Sequence, residues 1–143
     1  MQTCPYPIEQ LLPHAPPMVL LDEVEGFDED RLQATVMVRR ESPFFQSEGM
    51  PVHVTIEYMA QACGALVGLE SRLKGEEPRI GLLLGTRNFR ATRRWIELGR
   101  LLTISVRSEY RDGDMGFFDC RVDDLQGVVA SAQLTLHRTP RSD

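Results

Sequence analysis

The segment "PVHVTIEYMAQACGALVGLESRLKG", residues 51–75, decides the fold of this chain. Residues 52–74 contain no proline, and Gly75 follows them as a suitable helix stop. Apolar residues occupy much of the circumference of the helix that this segment predicts, and a helix that is apolar all round is a buried one. Small residues along it would let a neighbouring sheet come close: Ala60, Ala62, Gly64, Ala65 and Gly68. We therefore expect one long, buried central helix.

Strand patterns lie on both sides of this helix in the chain. Residues 18–40 contain two strand-like runs around an acidic turn, which predicts a β-hairpin, whereas residues 40–51 are predicted as a loop. After the helix, four further strands are predicted over residues 79–91, 101–111, 116–127 and 128–138. Consecutive strands joined by short turns are antiparallel, and the helix needs apolar cover. The sequence therefore predicts one α+β domain, residues 1–143, with an antiparallel sheet wrapped around one helix.

Composition limits the classes of function. The chain has 143 residues, 42% hydrophobic and 26% charged, which are the proportions of a soluble globular protein with one core. Its apolar runs are far shorter than the ~20 residues that span a bilayer, and its start has no signal-peptide pattern, so we expect a cytoplasmic protein without a membrane partner. A net charge of −5 argues against nucleic-acid binding. The three cysteines have no metal-ligand spacing, so we expect neither a metal nor a cofactor.

Arginine is concentrated in one segment, "RNFRATRRWIELGR", residues 87–100, which carries five arginines and one glutamate. Acidic residues cluster in "DEVEGFDED", residues 22–30. This asymmetry indicates a local anionic partner for the arginine segment. Two alternatives are that the arginines pair with the acidic turn of the same chain, or that they form a solvated charged face.

Three motifs resemble one family, the 3-hydroxyacyl-[acyl-carrier-protein] dehydratases. They are "LLPHAPPMVLLDEV" (11–24), "SPFFQ" (42–46) and "MPVHVTIEYMAQACG" (50–64), and they stand in the family's order. The family's catalytic histidine follows its "FFQG" segment, at the position that Glu48 occupies here, and the connection to the helix is shorter in this chain. The sequence therefore resembles a divergent branch, such as the predicted dehydratases of aryl-polyene or related fatty-acid-like pathways.

The resemblance implies the hot-dog fold, in which an antiparallel sheet wraps a long helix and two sheets join edge to edge in a dimer. It also implies a substrate carried on the phosphopantetheine of acyl carrier protein, threaded between the subunits, and a catalytic acid at Glu57. The partners implied are therefore acyl carrier protein and a second hot-dog subunit, identical or related. His14, in the first motif, is interpreted as a loop anchor.

The residues themselves offer a catalytic pair at the start of the helix. His53 and Glu57 are four positions apart and so share a helix face, and Pro51 suits the first turn. Dehydration needs a base, an acid and stabilisation of the thioester oxygen, which His53, Glu57 and the free N–H groups of the first turn could supply. The alternative is that the two side chains only hydrogen-bond each other or that Glu57 complements the helix dipole.

Further residues are predicted to surround the substrate. Those expected to line its binding site are Phe45, Met50, Pro51, Val52, Gln61, Gly85 and Phe89. Because carrier proteins are acidic and phosphopantetheine carries a phosphate, four arginines are expected to form a docking patch: Arg87, Arg90, Arg93 and Arg94.

Three functions stay open at this point. The first is a dehydratase with His53 as base and Glu57 as acid. The second is a hot-dog thioesterase in which Glu57 activates a water molecule, which would need no histidine. The third is a non-catalytic subunit that binds acyl chains or completes a heterodimer with an active dehydratase.

Overall fold

The computed structural model describes residues 1–12, 18–79 and 81–139. One α-helix, α1, spans Thr55–Leu73, and short 3₁₀ turns lie at Ile8–Gln10 and Val52–Val54. The strands are β1 Glu23–Phe27, β2 Arg31–Met37, β3 Met50–Pro51, β4 Gly81–Ala91, β5 Trp95–Ile96, β6 Leu101–Asp112, β7 Met115–Asp124 and β8 Gly127–Arg138. The loop with His14 lies outside the described residues, so its role as an anchor stays a prediction.

Six strands form one antiparallel sheet in the order β1-β2-β6-β7-β8-β4, and α1 packs against β2, β4, β6, β7 and β8. Apolar and polar residues alternate along strands of the sheet, so one face of the sheet turns toward the helix. In β2, for example, Leu32, Ala34 and Val36 are buried, while the residues between them are more exposed. The predicted architecture, an antiparallel sheet around one helix, is confirmed.

The small residues of α1 were expected to let a sheet come close, but at Gly68 the close neighbour is the N-terminal segment at Leu11. The chain before the first loop crosses the helix so closely that a Cβ on Gly68 would lie 2.0 Å from the carbonyl oxygen of Leu11. Leu11 itself is fully buried. A side chain at position 68 is therefore excluded by main-chain atoms, which cannot rotate away as the tip of a side chain can.

A second, two-stranded sheet was not predicted. In the segment expected to be a loop, Met50 and Pro51 of β3 pair with Ile96 and Trp95 of β5. Gly49 makes this approach possible, because its φ is +124° and an added Cβ would lie 2.6 Å from the carbonyl oxygen of Ile96. A two-residue strand has no periodicity, and only the folded chain brings its partner to it.

The two edges of the large sheet differ. The N-terminal segment covers part of the β1 edge through a bridge between Gln2 and Phe27. The outer edge of β4 has no strand beside it in the described part of the chain, and this strand exposes Leu82, Leu83 and Leu84. Such an edge is a template for pairing with another chain.

Among the described residues, no helix is long and apolar enough to cross a membrane. The cytoplasmic location stays a prediction.

Candidate active site at the start of the central helix

His53 and Glu57 both lie at the surface of the single chain, at the start of the central helix. His53 belongs to the 3₁₀ turn that precedes α1, and Glu57 lies in the first turn of α1 itself. Both side chains are exposed. No hydrogen bond or ion pair joins either side chain to another described residue, so the mutual hydrogen bond considered from the sequence is not formed in this structure.

Main-chain contacts fix the start of the helix firmly. The N–H of Val52 donates to the carbonyl oxygen of Arg94 at 2.9 Å, and the Thr55 hydroxyl donates to the carbonyl oxygen of Val52 at 2.6 Å. Thr55 is fully buried. The turn that carries His53 is therefore held from both sides, although its imidazole ring is free to meet a ligand.

One side of α1 continues from these two residues as a half-buried apolar stripe, formed by Val52, Ile56, Ala60, Gly64 and Val67. Their spacing of three or four positions places them on one face. In the single chain the stripe remains partly open to solvent.

Strand β4 runs beside this face. Its first residue, Gly81, lines a cleft together with Gly64 and Val67, while the segment after its last residue reaches Val52 through Arg94. The strand thus accompanies α1 from its C-terminal half back to its start.

The predicted substrate-binding residues fall into two groups. Phe45, Val52, Gly85 and Phe89 are half-buried, and Phe45, Val52 and Phe89 pack against the core. Gly85 lies at a β-bulge of β4. These four residues keep part of their surface open to solvent.

The other three predicted substrate-binding residues have structural contacts instead. Met50 is fully buried and Pro51 is buried, both within the β3–β5 pairing. Gln61 is 4% exposed, accepts the N–H of Leu20 at 2.8 Å and donates to the carbonyl oxygen of Met18 at 2.6 Å. The Gln61 amide therefore holds the segment that leads into β1 by hydrogen bonds to its main chain. The position of Gln61 on the helix did not indicate this structural role.

The arginine segment divides in the same way. Arg87, Arg90 and Arg94 are exposed, and their side chains have no ion pair with described residues. Arg93 instead donates to the carboxylate of Asp124 at 2.8 Å. Three of the four predicted docking arginines are therefore available to an anionic partner, whereas Arg93 is neutralised within the chain. Asp124 was missed, although the turn "DDLQG" places an aspartate two residues before an N–H that it accepts.

The acidic turn of residues 22–30 does not pair with this arginine segment. Asp28 and Asp30 lie near Arg31, at 2.6 and 3.9 Å, and Asp22 pairs with Arg39 at 3.1 Å. The alternative that the arginines neutralise the acidic turn is thus wrong for the described contacts.

A small cleft, with a volume of about 30 Å³, lies at the far end of the apolar stripe. Gly64, Val67 and Leu136 supply part of its lining, and Arg79, Arg111, Arg138 and Asp114 supply charge. The Asp114 carboxylate accepts hydrogen bonds from Arg138 and Arg79, and these contacts hold its pKa below the ordinary value even though desolvation acts in the opposite direction. The cleft is therefore apolar on the helix side and charged on the sheet side.

Tyr58, the neighbour of Glu57 in sequence, is part of the core and is 2% exposed. Burial, with a smaller contribution from the charge of Asp22, raises the pKa of its hydroxyl to about 12. Tyr58 is therefore a core residue, and the reactive face of the helix is the one that carries Glu57.

The described residues contain no cluster of His, Cys, Asp or Glu that could hold a metal ion. The nearest approach of two thiols is that of Cys63 and Cys120, buried between α1 and β7 with their sulfur atoms 3.5 Å apart. Burial, followed by the hydrogen bond to Cys120, raises the pKa of the Cys63 thiol well above its usual value. These thiols are packing residues.

Comparison with known proteins gives consistent results. The ApeP-like family, described as ApeP dehydratase, matches residues 6–143. A 3-hydroxyacyl-[acyl-carrier-protein] dehydratase FabZ from Chlamydia abortus is 33% identical over 132 residues, 87% of this chain and 84% of that protein. The FabZ of an Anaeromyxobacter species is 34% identical over 84 residues, so this chain spans about half of its length (54%).

Solved structures show the same fold. The dehydratase heterocomplex ApeI:P from Xenorhabdus doucetiae contains a chain that superposes with a TM-score of 0.91 at 28% identity, covering 95% of this chain and 93% of that one. A hypothetical thioesterase from Streptococcus pneumoniae, solved with coenzyme A, has a TM-score of 0.65 at 17% identity, covering 85% and 88%, which shows a shared fold. The predicted hot-dog fold and the predicted resemblance to the dehydratases are both confirmed.

Proposed function

This chain belongs to the ApeP-like family of dehydratases, a family of lyases, and from that premise we propose that it removes water from a 3-hydroxyacyl thioester carried on acyl carrier protein. The product would be the trans-2-enoyl thioester of a fatty-acid-like or aryl-polyene pathway. The observation that carries the proposal is that Glu57, which the resemblance matches to the family's acid, lies exposed in the first turn of the central helix.

The proposed chemistry uses the two exposed side chains at the start of the helix. His53 accepts the proton from C2, the C3–O bond breaks, and Glu57 gives a proton to the departing hydroxyl so that it leaves as water. The electron pair of the C2–H bond becomes the new C2–C3 double bond. A proton then passes from His53 to Glu57, which restores both groups.

The thioester oxygen needs stabilisation while C2 loses its proton. Amides in the first turn of a helix have no carbonyl partner four residues earlier, so they can donate to an oxygen that becomes negative. The N–H of Val52 is already bound to Arg94. The N–H of Thr55 is also bound, to the carbonyl oxygens of Val52 and His53, so we assign this role to the N–H of His53.

A second subunit is needed to complete the site. In the single chain His53 and Glu57 are exposed, and proton transfer to and from a substrate is more effective where water is excluded. The open stripe of α1 and the unpaired β4 edge with its exposed leucines provide the surface that a second hot-dog subunit would cover. The ApeI:P heterocomplex supports a related partner over an identical one.

The exposed arginines suit the carrier protein. Arg87, Arg90 and Arg94 carry positive charge without an ion pair to described residues, and the main chain of Arg94 contacts Val52, the residue before His53. An acidic carrier protein docked there would deliver its phosphopantetheine arm toward Glu57. Arg93 is left out of this docking set because Asp124 neutralises it.

A non-catalytic subunit is the second candidate, and one observation favours it. No described side chain orients His53 or Glu57, whereas a general base is ordinarily held by a neighbour. The chain would then bind the acyl group or the partner, and the partner would supply the catalytic groups.

The experiment that tests these functions is an assay of purified protein with 3-hydroxyacyl carrier protein, alone and with a related hot-dog subunit, in which enoyl product is measured. Product that disappears in Glu57→Gln but not in a variant of an exposed residue elsewhere, such as Gln126→Ala, supports the dehydratase. Full activity of Glu57→Gln in the presence of the partner would instead indicate the non-catalytic subunit. Release of free carrier thiol would indicate a thioesterase.

A further inference from the structure

We infer that the ion pair between Arg93 and Asp124 positions the candidate active site, because it holds the segment whose main chain fixes the start of α1. Neither residue touches the substrate in this account. They act through Val52, which immediately precedes His53. The inference rests on the proposed function, since positioning affects a rate only if His53 or Glu57 acts on a substrate.

The pair is built as an interior contact. Arg93 Nη1 donates to Asp124 Oδ2 at 2.8 Å, and the side chains are 26% and 1% exposed. The other carboxylate oxygen, Oδ1, accepts the N–H of Gln126 at 2.8 Å, and Arg100 Nη1 lies 4.0 Å from Oδ2. Burial alone would raise the pKa of Asp124, but the hydrogen bonds from Gln126 and Arg93 and the nearby positive charges bring it below the ordinary value. Asp124 is thus a charged group with a defined partner for each oxygen.

A short path leads from this pair to the site. Arg93 is followed by Arg94, whose carbonyl oxygen accepts the N–H of Val52 at 2.9 Å, and by Trp95, which pairs with Pro51. A displacement of the main chain at residues 93–95 therefore moves the turn at residues 51–53. Because rates of positioned reactants fall steeply with displacements of about 1 Å, such movement is expected to lower the rate by up to about a hundredfold.

A neighbouring contact keeps the fold intact when the pair is removed. The Thr92 hydroxyl donates to the carbonyl oxygen of Val128 at 2.9 Å, and the Thr92 N–H donates to that of Val129 at 3.0 Å. These bonds tie the end of β4 to β8 independently of Arg93. Loss of the ion pair should therefore loosen residues 93–96 and the turn they hold, without detaching the strand.

The same strand offers a matched control pair. Arg121 Nε donates to Asp123 Oδ2 at 2.8 Å, one residue from Asp124, but the two side chains are 60% and 22% exposed. This pair lies on the outer face of β7, because Cys120 and Val122 on either side of Arg121 are buried. It has the same chemistry and length as the Arg93–Asp124 pair but no connection to Val52.

The test compares Arg93→Gln, Asp124→Asn and Arg93→Lys with the control Arg121→Gln in the full chain, together with the partner subunit if activity needs it. Hydrogen–deuterium exchange of residues 50–57 and the steady-state constants with 3-hydroxyacyl carrier protein are measured. We expect Arg93→Gln and Asp124→Asn to speed exchange in residues 50–57 and to lower kcat about tenfold to a hundredfold, with KM changed less than about threefold. Arg93→Lys should recover part of kcat, and Arg121→Gln should match the wild-type protein in both readouts.

Exchange in residues 50–57 that is unchanged in a folded Arg93→Gln protein would overturn the inference, whatever the activity. The inference would also be overturned if the activity of the variants fell only in proportion to the fraction of the variant protein that is folded. If the wild-type protein forms no enoyl product at all, the proposed function fails, but faster exchange in Arg93→Gln would still support the positioning contact.

Discussion

Replacing Gly68 with alanine tests how closely the chain packs around its central helix. The added Cβ would lie 2.0 Å from the carbonyl oxygen of Leu11, whereas such contacts essentially never fall below 3.0 Å. The main chain at Leu11 must therefore move by at least about 1 Å, and overpacking of this kind typically costs about 1–3 kcal/mol. Alanine is favoured over glycine within a helix by about 1 kcal/mol, which offsets part of that cost. The difference is a net loss of up to about 2 kcal/mol in the free energy of unfolding.

Gly64→Ala is the matched control on the same helix. Its added Cβ would meet only the tip of the Leu12 side chain, at 3.3 Å, which can move aside. This variant should be stabilised by up to about 1 kcal/mol through helix propensity. Urea unfolding followed by circular dichroism measures the free energy of unfolding of both variants. In thermal unfolding of a chain of 143 residues, a change of 1 kcal/mol corresponds to about 3–5 °C in Tm. Equal stability of the two variants would refute the packing described for Leu11.

Three further predictions concern charge. Because the pKa of Tyr58 is raised to about 12, this residue contributes fully to the free energy of unfolding below the ordinary value of about 10, and the contribution, roughly 3 kcal/mol for two pKa units, is lost as the pH rises from 10 to 12. When the free energy of unfolding is measured against pH, this decline should be absent in Tyr58→Phe. An identical decline in the variant would contradict the prediction. Because the pKa of Asp124 is lowered in the folded protein, its contribution to the free energy of unfolding is present above the pKa of about 4 that it has in the unfolded chain, and is lost as the pH falls through the lower pKa of the folded state. In the same measurement, the free energy of unfolding of Asp124→Asn should therefore fall less in acid than that of the wild-type protein. Replacing Arg87, Arg90 and Arg94 with glutamate should raise KM for carrier-bound substrate severalfold at low salt, while KM for a small pantetheine thioester should stay unchanged. Arg121→Glu is the control. An equal change in KM for both substrates would rule out the docking patch.

The sequence predicted those parts of the fold that have a periodic pattern. The central helix, the first hairpin and three of the four later strands bury one face or more, so their residues repeat with the spacing of the element, whereas β4 buries none of its residues fully. The short strand at Met50 has no such repeat. It forms only because the folded chain brings Ile96, 46 residues later in the sequence, beside it. His53 consequently lies in a 3₁₀ turn instead of the first turn of the α-helix.

The site was predictable to the extent that it lies on that helix. Glu57 was predicted because helix position and family resemblance agree on it, and it lies exposed in the first turn of α1, but its role stays a prediction. Gln61 was expected near the substrate, but its amide is occupied by the main chain of Met18 and Leu20, a contact made by a segment over 40 residues earlier. Arg93 could not be separated from its neighbours by sequence either, because its partner Asp124 comes from a turn 31 residues away.

The most direct test of the central claim is enoyl formation from 3-hydroxyacyl carrier protein by the complex of this chain with a related hot-dog subunit, comparing wild type with Glu57→Gln and His53→Ala. Because both side chains are exposed and without partners in the single chain, neither change should alter its stability by more than about 0.5 kcal/mol. The account predicts a fall in kcat of about a hundredfold or more in each variant, as expected for loss of a general acid or base. Wild-type rates in Glu57→Gln would contradict it.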